Sequence, residues 1–369
     1  MAPRTDDADH MRAALALARR GLGRTYPNPA VGCVLTNPEG YVVGRGWTQP
    51  SGRPHAETEA LRRAGGAARG GTAYVTLEPC CHVGQTPPCS QALIDAGIAR
   101  VVVATNDPDP RVSGGGLKAL RQAGIAVETG LLEAEAREIN AGFFLRTEAG
   151  RPMVTLKLAT SLDGRIATAS GQSQWITGEE SRARAHLLRA AHDAILVGRG
   201  TVEADNPSLT CRLPGCADRS PLRVVLDSKL SLFKDGGVPH LKIHPAWVIC
   251  GKDIENCTPA LNGWEMIPVE LGKDGRVDPF AALQALAVLK GVTRVLVEGG
   301  GEVAGSFLRG NLVDRVVWFR APVVIGGDGR PALGGLGVET LAQALRFRVQ
   351  SREVLGQDVV ETYVREAGS

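Results

Sequence analysis

The chain has 369 residues, a formal net charge of +3, 43% hydrophobic and 22% charged residues, a globular composition with no apolar run long enough to span a bilayer. That length exceeds what a single core usually fills, so two domains are expected. So small a charge, with 4% aromatics, lacks the basic field and stacking platforms of a nucleic-acid binder and suits a small anionic substrate.

In chain order, Met1 to His10 is polar and acidic where a secretory leader needs a basic end and an apolar run, which points to the cytoplasm. The eight cysteines are then expected as thiols or metal ligands. A helix is predicted over Asp7 to Arg20, with Met11, Ala14, Leu15 and Ala18 on one face and Gly21 ending it. Strands at Ala30 to Leu35 and near Val42 precede a helix opened by Pro54 that carries His55 and Glu57. Strand Ala73 to Leu77 leads to Glu78, Pro79 and Cys80. A helix from Cys89 to Ala96, a strand Val101 to Thr105 and a helix Leu117 to Ala123 follow, a layered α/β domain. The polar stretch Thr147 to Arg151, ending in Pro152, marks the boundary, giving domains 1–149 and 150–369. The second domain shows strands at Met153 to Leu158, Ala194 to Val197, Leu222 to Leu226 and Trp247 to Cys250. Asp278 and Pro279 start a helix that ends at Gly291. Strand Arg294 to Glu298, a glycine turn and strands Arg315 to Phe319 and Val359 to Val364 complete it.

A zinc ion that activates water needs three protein ligands and one open corner. His55, Cys80 and Cys89 supply such a set, each cysteine being expected where a strand or loop enters a helix and amide groups favour thiolate. Glu57, two residues past His55, is the group that takes a proton from water and gives it to a leaving amine. H-x-E followed by P-C and a second Cys is the zinc nucleobase deaminase signature, here with eight residues between the cysteines. The enlarged loop, Cys81 to Pro88, is expected to shape the pocket. Cys81 is read as a packing residue, and Cys33, Cys211, Cys216, Cys250 and Cys257 as core or surface residues.

With these residues in place the chain resembles the bifunctional deaminase and reductase family of riboflavin biosynthesis over nearly its whole length. The likeness lies in T-Y-P-N-P-A-V-G-C-V from Thr25, H-A-E at His55 to Glu57 and T-L-E-P-C-C-H-V-G-Q-T-P-P-C from Thr76 to Cys89. It continues in K-L-A-T-S-L-D-G-R from Lys157, S-Q-W-I-T from Ser173, A-D-N-P-S-L-T from Ala204 and V-E-G-G-G from Val297. It implies a cytidine-deaminase-like αβα domain, then a dihydrofolate-reductase-like α/β domain on a mixed sheet. The first would remove the 2-amino group of a diaminopyrimidinone ribose phosphate, with zinc hydroxide attacking the amine-bearing carbon and Asn28 and His82 holding the ring. Gln85 stands where the family often has a basic residue, so a phosphate contact there must come from another cation.

The second reaction implied is reduction of the ribosyl group to ribityl by NADPH. Gly299 to Ala304 fits G-x-G-x-x-A between a strand and a helix, but neither its place in the chain nor an acidic residue twenty positions on matches a dinucleotide-binding Rossmann unit. The resemblance instead assigns NADPH to Ala159, Ser173, Trp175, Thr201, Asp205, Ser228 and Gly299, Gly300 and Gly301. It assigns substrate to Lys157, Arg189, Leu209, Arg212 and Glu298, the two arginines being suited to a phosphate. Asp163-Gly164 reads as a turn. A homo-oligomer is compatible with the sequence. Two other readings are a zinc deaminase of tRNA or free bases fused to an unrelated domain, and a binding protein that has lost turnover.

Overall fold

A computed structural model describes residues 7–82, 87–233, 246–254 and 264–366. Gln85 and Cys257 lie outside the described residues. The chain divides into two compact units, Met1–Gly150 and Arg151–Ser369.

The first unit runs α1 (Asp7–Ala18), β1 (Gly32–Thr36), β2 (Val42–Trp47), α2 (Ala56–Ala64), β3 (Thr72–Val75), α3 (Cys89–Asp95), β4 (Arg100–Val103), α4 (Gly115–Gln122), β5 (Ala126–Thr129), α5 (Glu133–Ile139) and α6 (Ala141–Ala149). Its five strands lie in the order β2-β1-β3-β4-β5, antiparallel around β1 and parallel from β3 to β5. Strand alternation sends Cys33, Leu35, Ala73 and Val75 to one face, against residues of α2, α3 and α4, and Val34 and Tyr74 to the other, against α1 and α5. Helices on both faces of one sheet give the αβα layering expected.

Close approach sets the position of α2, the helix that follows His55. A Cβ at Gly46 of β2 would lie 2.1 Å from the Ala56 carbonyl oxygen, so only glycine lets the helix start rest on the strand. The predicted helix from Pro54 begins instead at Ala56, with His55 as its extended N-cap. The first helix also ends sooner than expected, at Ala18, and passes through a short 3-10 turn to Gly21.

The second unit runs β6 (Met153–Thr160), β7 (Arg165–Ala167), α7 (Glu179–Ala190), β8 (Ala194–Gly198), α8 (Arg199–Asp205), β9 (Leu222–Leu226), β10 (Ala246–Gly251), β11 (Trp264–Val269), α9 (Pro279–Lys290), β12 (Arg294–Val297), α10 (Gly301–Arg309), β13 (Arg315–Arg320), β14 (Arg330–Pro331), β15 (Phe347–Leu355) and β16 (Asp358–Arg365). Nine strands form one sheet, β11-β10-β9-β8-β12-β6-β13-β16-β15. The first seven are parallel and the β15–β16 hairpin joins β13 antiparallel, so the sheet is mixed. Helix α9 follows its sequence signals: Asp278 accepts from the Ala281 amide at 2.8 Å, Pro279 fills the first turn and left-handed Gly291 ends it. The parallel arrangement brings the C-terminal ends of β6, β8 and β12 to one edge, where open α/β sheets bind ligands. Among the described residues no helix is long and apolar enough to cross a membrane.

Under this sheet His192 is fully buried. Its Nδ1–H donates to the Leu188 carbonyl at 2.6 Å and its Nε2 accepts from Thr155 Oγ1 at 2.9 Å, both satisfied by a neutral ring. Burial, with the charge of Arg294, pushes its pKa down to about 3. The unfolded chain therefore binds a proton that the folded one refuses between about pH 6.5 and 3, so this stability is complete above pH 6.5 and declines as the pH falls. Each pH unit in that window costs about 1.4 kcal/mol. Thermal melts from pH 7 to pH 5 should show a steeper fall for the wild type than for His192→Gln; parallel slopes would refute the assignment.

Candidate active sites

In the first unit, three segments far apart in sequence converge. His55 caps α2, Cys80 lies in the loop after β3, and Cys89 opens α3. His55 Nδ1 lies 3.3 Å from Cys89 Sγ and 3.7 Å from Cys80 Sγ, and all three donor atoms fall within 4.8 Å of one another. Among the described residues no fourth His, Cys, Asp or Glu joins the set, which is the donor chemistry of a catalytic rather than a closed zinc site. Contrary to the expectation for both cysteines, only Cys89 stands at a helix entrance and Cys80 does not. Instead its sulfur accepts the Cys89 amide, at the start of α3, at 3.4 Å. That helix end, the neighbouring Cys89 thiol and His55 explain the site's charge: the Cys89 hydrogen bond leads in pulling the Cys80 thiol down to about 4, while Cys80 and burial push Cys89 up. One negative charge is thus stable on the two sulfurs; a bound cation is what stabilises the second.

Glu57, in the first turn of α2, is 4% exposed. Burial raises its carboxyl to about 7, the Cys80 charge adding to the effect and His55 opposing it. A carboxyl poised near neutrality can both accept and return a proton. Sequence reasoning treated Glu78 only as part of a motif. It is buried, and its carboxylate accepts from the amides of Gly114 at 3.0 Å, Gly116 at 3.0 Å and Leu117 at 3.2 Å, so it fastens the start of α4 to the segment leading into Cys80. A charge directly after an apolar strand was the available signal. Cys81 turns away from the donor set, its sulfur 3.6 Å from the Arg111 carbonyl.

His82 presents a buried Nδ1 with no hydrogen-bond partner, as a ligand-facing side chain would. Asn28 packs on Gly52, three residues before His55; a Cβ there would fall 1.9 Å from Asn28 Nδ2, and Gly52 has φ +83°. Gly52→Ala should therefore displace Asn28 and raise the deaminase KM about tenfold while leaving the zinc content intact. Metal analysis beside substrate titration checks this, and an unchanged KM would show that Asn28 does not depend on the glycine.

In the second unit, β12 ends at the buried Glu298. Arg189 of α7 forks onto it with two hydrogen bonds of 2.9 Å, and Lys157 of β6 lies 3.8 Å away. Burial would raise the Glu298 carboxyl, but Arg189 and Lys157 outweigh it and hold it at about 2. Arg189 also donates to the Thr210 carbonyl at 2.9 Å, and Arg212 to Ser208 Oγ at 2.7 Å. Lys157, Arg189, Arg212 and Glu298 thus share one cluster, next to Leu209, which is buried in a left-handed turn at φ +54°. Two guanidinium nitrogens of Arg189 are engaged by Glu298, while Arg212 is exposed. His186, which sequence reasoning passed over, belongs here too, its Nδ1 3.3 Å from the Arg212 amide.

The expected cofactor residues divide. The Gly300 amide donates to Thr201 Oγ1 at 3.2 Å, joining the starts of α8 and α10. A Cβ at Gly299 would lie 2.7 Å from Val303 and one at Gly301 2.9 Å from the Pro331 carbonyl, so both glycines answer to packing, whereas Gly300 faces open space apart from Thr201. This exposed backbone at a helix start suits a cofactor phosphate. Ala159 shares the Lys157 face of β6, and Asp205, exposed, ends α8. The Ser228 hydroxyl oxygen accepts the Val277 amide at 2.9 Å, so this side chain already ties β9 to the segment before α9. Ser173 is half-buried. Trp175, two residues on, is 66% exposed and lines a cleft of about 720 Å³ with Arg182, Pro322 and Asp358; the Arg182 guanidinium stacks 4.7 Å above the indole. Asp163 proves more than a turn: it accepts the Ile325 and Gly326 amides at 3.2 and 2.7 Å.

Residues 152–361 match the family described as RibD C-terminal domain, and residues 4–105 the cytidine and deoxycytidylate deaminase zinc-binding region. A riboflavin biosynthesis protein RibD of Aquifex aeolicus is 42% identical, the alignment covering 97% of this chain and 98% of that one. The chain belongs to the RibD family. The RibD of Escherichia coli K12 is likewise 42% identical, over 96% of this chain and 98% of its own. Among solved structures, Acinetobacter baumannii RibD matches with a TM-score of 0.86 at 37% identity, covering 98% of this chain and 99% of that one. A Thermotoga maritima diaminohydroxyphosphoribosylaminopyrimidine deaminase/5-amino-6-(5-phosphoribosylamino)uracil reductase matches with a TM-score of 0.84 at 34% identity and the same coverage. The expected architecture therefore stands: a cytidine-deaminase-like unit with a zinc-binding region, then a RibD reductase unit.

Proposed function

We infer that this RibD protein carries out two successive steps of riboflavin biosynthesis: hydrolytic deamination of a diaminopyrimidinone ribose phosphate, then NADPH-dependent reduction of its ribosyl group to ribityl. The observation that carries the reading is the convergence of His55, Cys80 and Cys89 beside the buried Glu57, in a chain that matches bifunctional relatives from end to end. A deaminase of another base joined to an unrelated domain is not favoured, because both halves match one family.

His55, Cys80 and Cys89 would hold a zinc ion, which would supply a Lewis acid that acidifies water. Asn28 and His82 hold the pyrimidine with its amine-bearing carbon toward these ligands. Glu57 receives the proton of the attacking water and delivers it to the departing amine, so that ammonia leaves and an oxo group remains.

The Thr201–Gly300 junction, with Ala159, Ser173, Trp175, Asp205 and Ser228, would hold NADPH, which would supply the hydride for reduction of the sugar. Glu298 holds Lys157 and Arg189 in place, and Arg212 contacts the ribose phosphate from the turn that Leu209 forms. The substrate is a small anionic ribotide rather than a nucleic acid. A cytoplasmic setting suits the site, whose thiols must stay reduced to bind metal; the cysteines of the described residues are all free.

The test is to incubate the full chain with the diaminopyrimidinone ribotide, with and without NADPH, and to weigh the products. Exchange of an amino for an oxo group is expected in both, and gain of two hydrogens only with NADPH. An unchanged ribotide with zinc-loaded protein would overturn the reading.

A further inference from the structure

Arg223, on β9, is 2% exposed and among the largest fully buried side chains of the protein. By strand alternation it shares the face of Val225, whose apolar cluster contains Ile195, Val197, Val202 and Leu209. A guanidinium in such surroundings ordinarily has a carboxylate beside it. Here burial lowers the pKa of the group, and among the described residues no acidic side chain opposes this and Nη2 has no hydrogen-bond partner. Its hydrogen bond runs from Nη1 to the Ser208 carbonyl, at 3.4 Å.

An apolar side chain of the same length would fill this space without a desolvation cost, so stability alone does not account for an arginine. What the residue does touch is informative. Ser208 precedes the left-handed Leu209, and the short strap Ser208–Arg212 is held from its other side by Arg189 on the Thr210 carbonyl and by His186 at the Arg212 amide. On the sheet side Ser220, just before β9, accepts the Cys211 amide at 3.0 Å, and Arg223 anchors the start of the strap at Ser208.

We propose that Arg223 is a positioning residue of the reductase, which fixes the Ser208 carbonyl and thereby the turn at the buried Leu209 that carries Arg212 to the ribose phosphate. The proposal rests on the reading of that strap as a substrate contact. It requires function to fall on loss of the charge without a fall in stability, a signature that a merely structural residue does not give.

The test uses the full-length protein, the deaminated ribotide and NADPH, assayed well below the unfolding temperature. Arg223→Met should raise the reductase KM for the ribotide by on the order of tenfold, as expected when contact residues shift by a fraction of an ångström. Its thermal midpoint should stay the same or rise, and Arg223→Lys, which keeps one donor for the carbonyl, should restore much of the loss. A wild-type KM in Arg223→Met, or a loss that follows a lowered midpoint and is not relieved by lysine, overturns the proposal. Arg212→Gln, run in parallel, separates the two levels. A raised KM there with wild-type Arg223→Met refutes the positioning role alone, whereas wild-type behaviour of both refutes the strap reading as well.

Discussion

Glu57→Gln should bind one zinc per chain and lose deamination by about a hundredfold to ten-thousandfold, the range that a positioned proton carrier contributes. The carboxyl is buried, raised to about 7 and outside the His–Cys–Cys donor set, so an amide of the same shape preserves the pocket but can neither accept nor return the proton. Cys80→Ser should behave differently. Its thiol, drawn down to about 4, is the most readily ionised of the three ligands, and a serine hydroxyl does not replace a thiolate on zinc. Metal content and deaminase turnover should therefore fall together in Cys80→Ser and separate in Glu57→Gln. Equal zinc loss in the two variants would place Glu57 on the metal. The Cys80→Ser protein should still oxidise NADPH when given the deaminated ribotide.

Glu298→Gln is expected to damage the other unit. It removes the negative charge that faces the partly buried Arg189 and Lys157, leaving an uncompensated cation where both hydrogen bonds of the arginine fork had been satisfied. Breaking one side of such a pair costs about 3–5 kcal/mol, and at roughly 2–4 °C per kcal/mol for a domain of this size the midpoint of the second unit should drop by on the order of ten degrees. Reductase kcat/KM should collapse because Lys157 loses its tether, while the zinc site, in a unit with its own core, keeps its deaminase rate. Calorimetry with both activity assays checks this; an unshifted transition with normal reduction would show that the carboxylate is dispensable.

What could be read from sequence follows from how local the controlling physics is. The metal set was legible because only a few side chains bind zinc, and H-x-E, P-C and the second Cys leave little choice among them. Strands such as Ala194–Gly198 and Arg294–Val297 were legible because they are buried on both faces and read as unbroken apolar runs. Helix α7 escaped notice because much of its surface carries Arg and His to the site instead of Leu to the core, which erases the apolar stripe. β15 escaped for a related reason: an edge strand with mostly exposed residues has no buried face to mark it. Arg189 shows a further limit. Its part in the site was expected, but that its fork is spent on Glu298 depends on a residue just past β12 and 109 positions away, which residue type does not reveal. Arg223 and Glu78 are hidden for the same cause, since their partners are backbone groups of distant loops.

The account depends first on one cation held by an imidazole and two thiolates, with a corner free for water. X-ray absorption at the zinc edge of the purified protein tests this directly. It predicts two sulfur ligands at about 2.3 Å and two lighter ligands at about 2.0–2.1 Å, one of them exchanged when a substrate-like inhibitor binds. A shell of four protein ligands that no inhibitor perturbs, or a metal with fewer than two sulfurs, would contradict it.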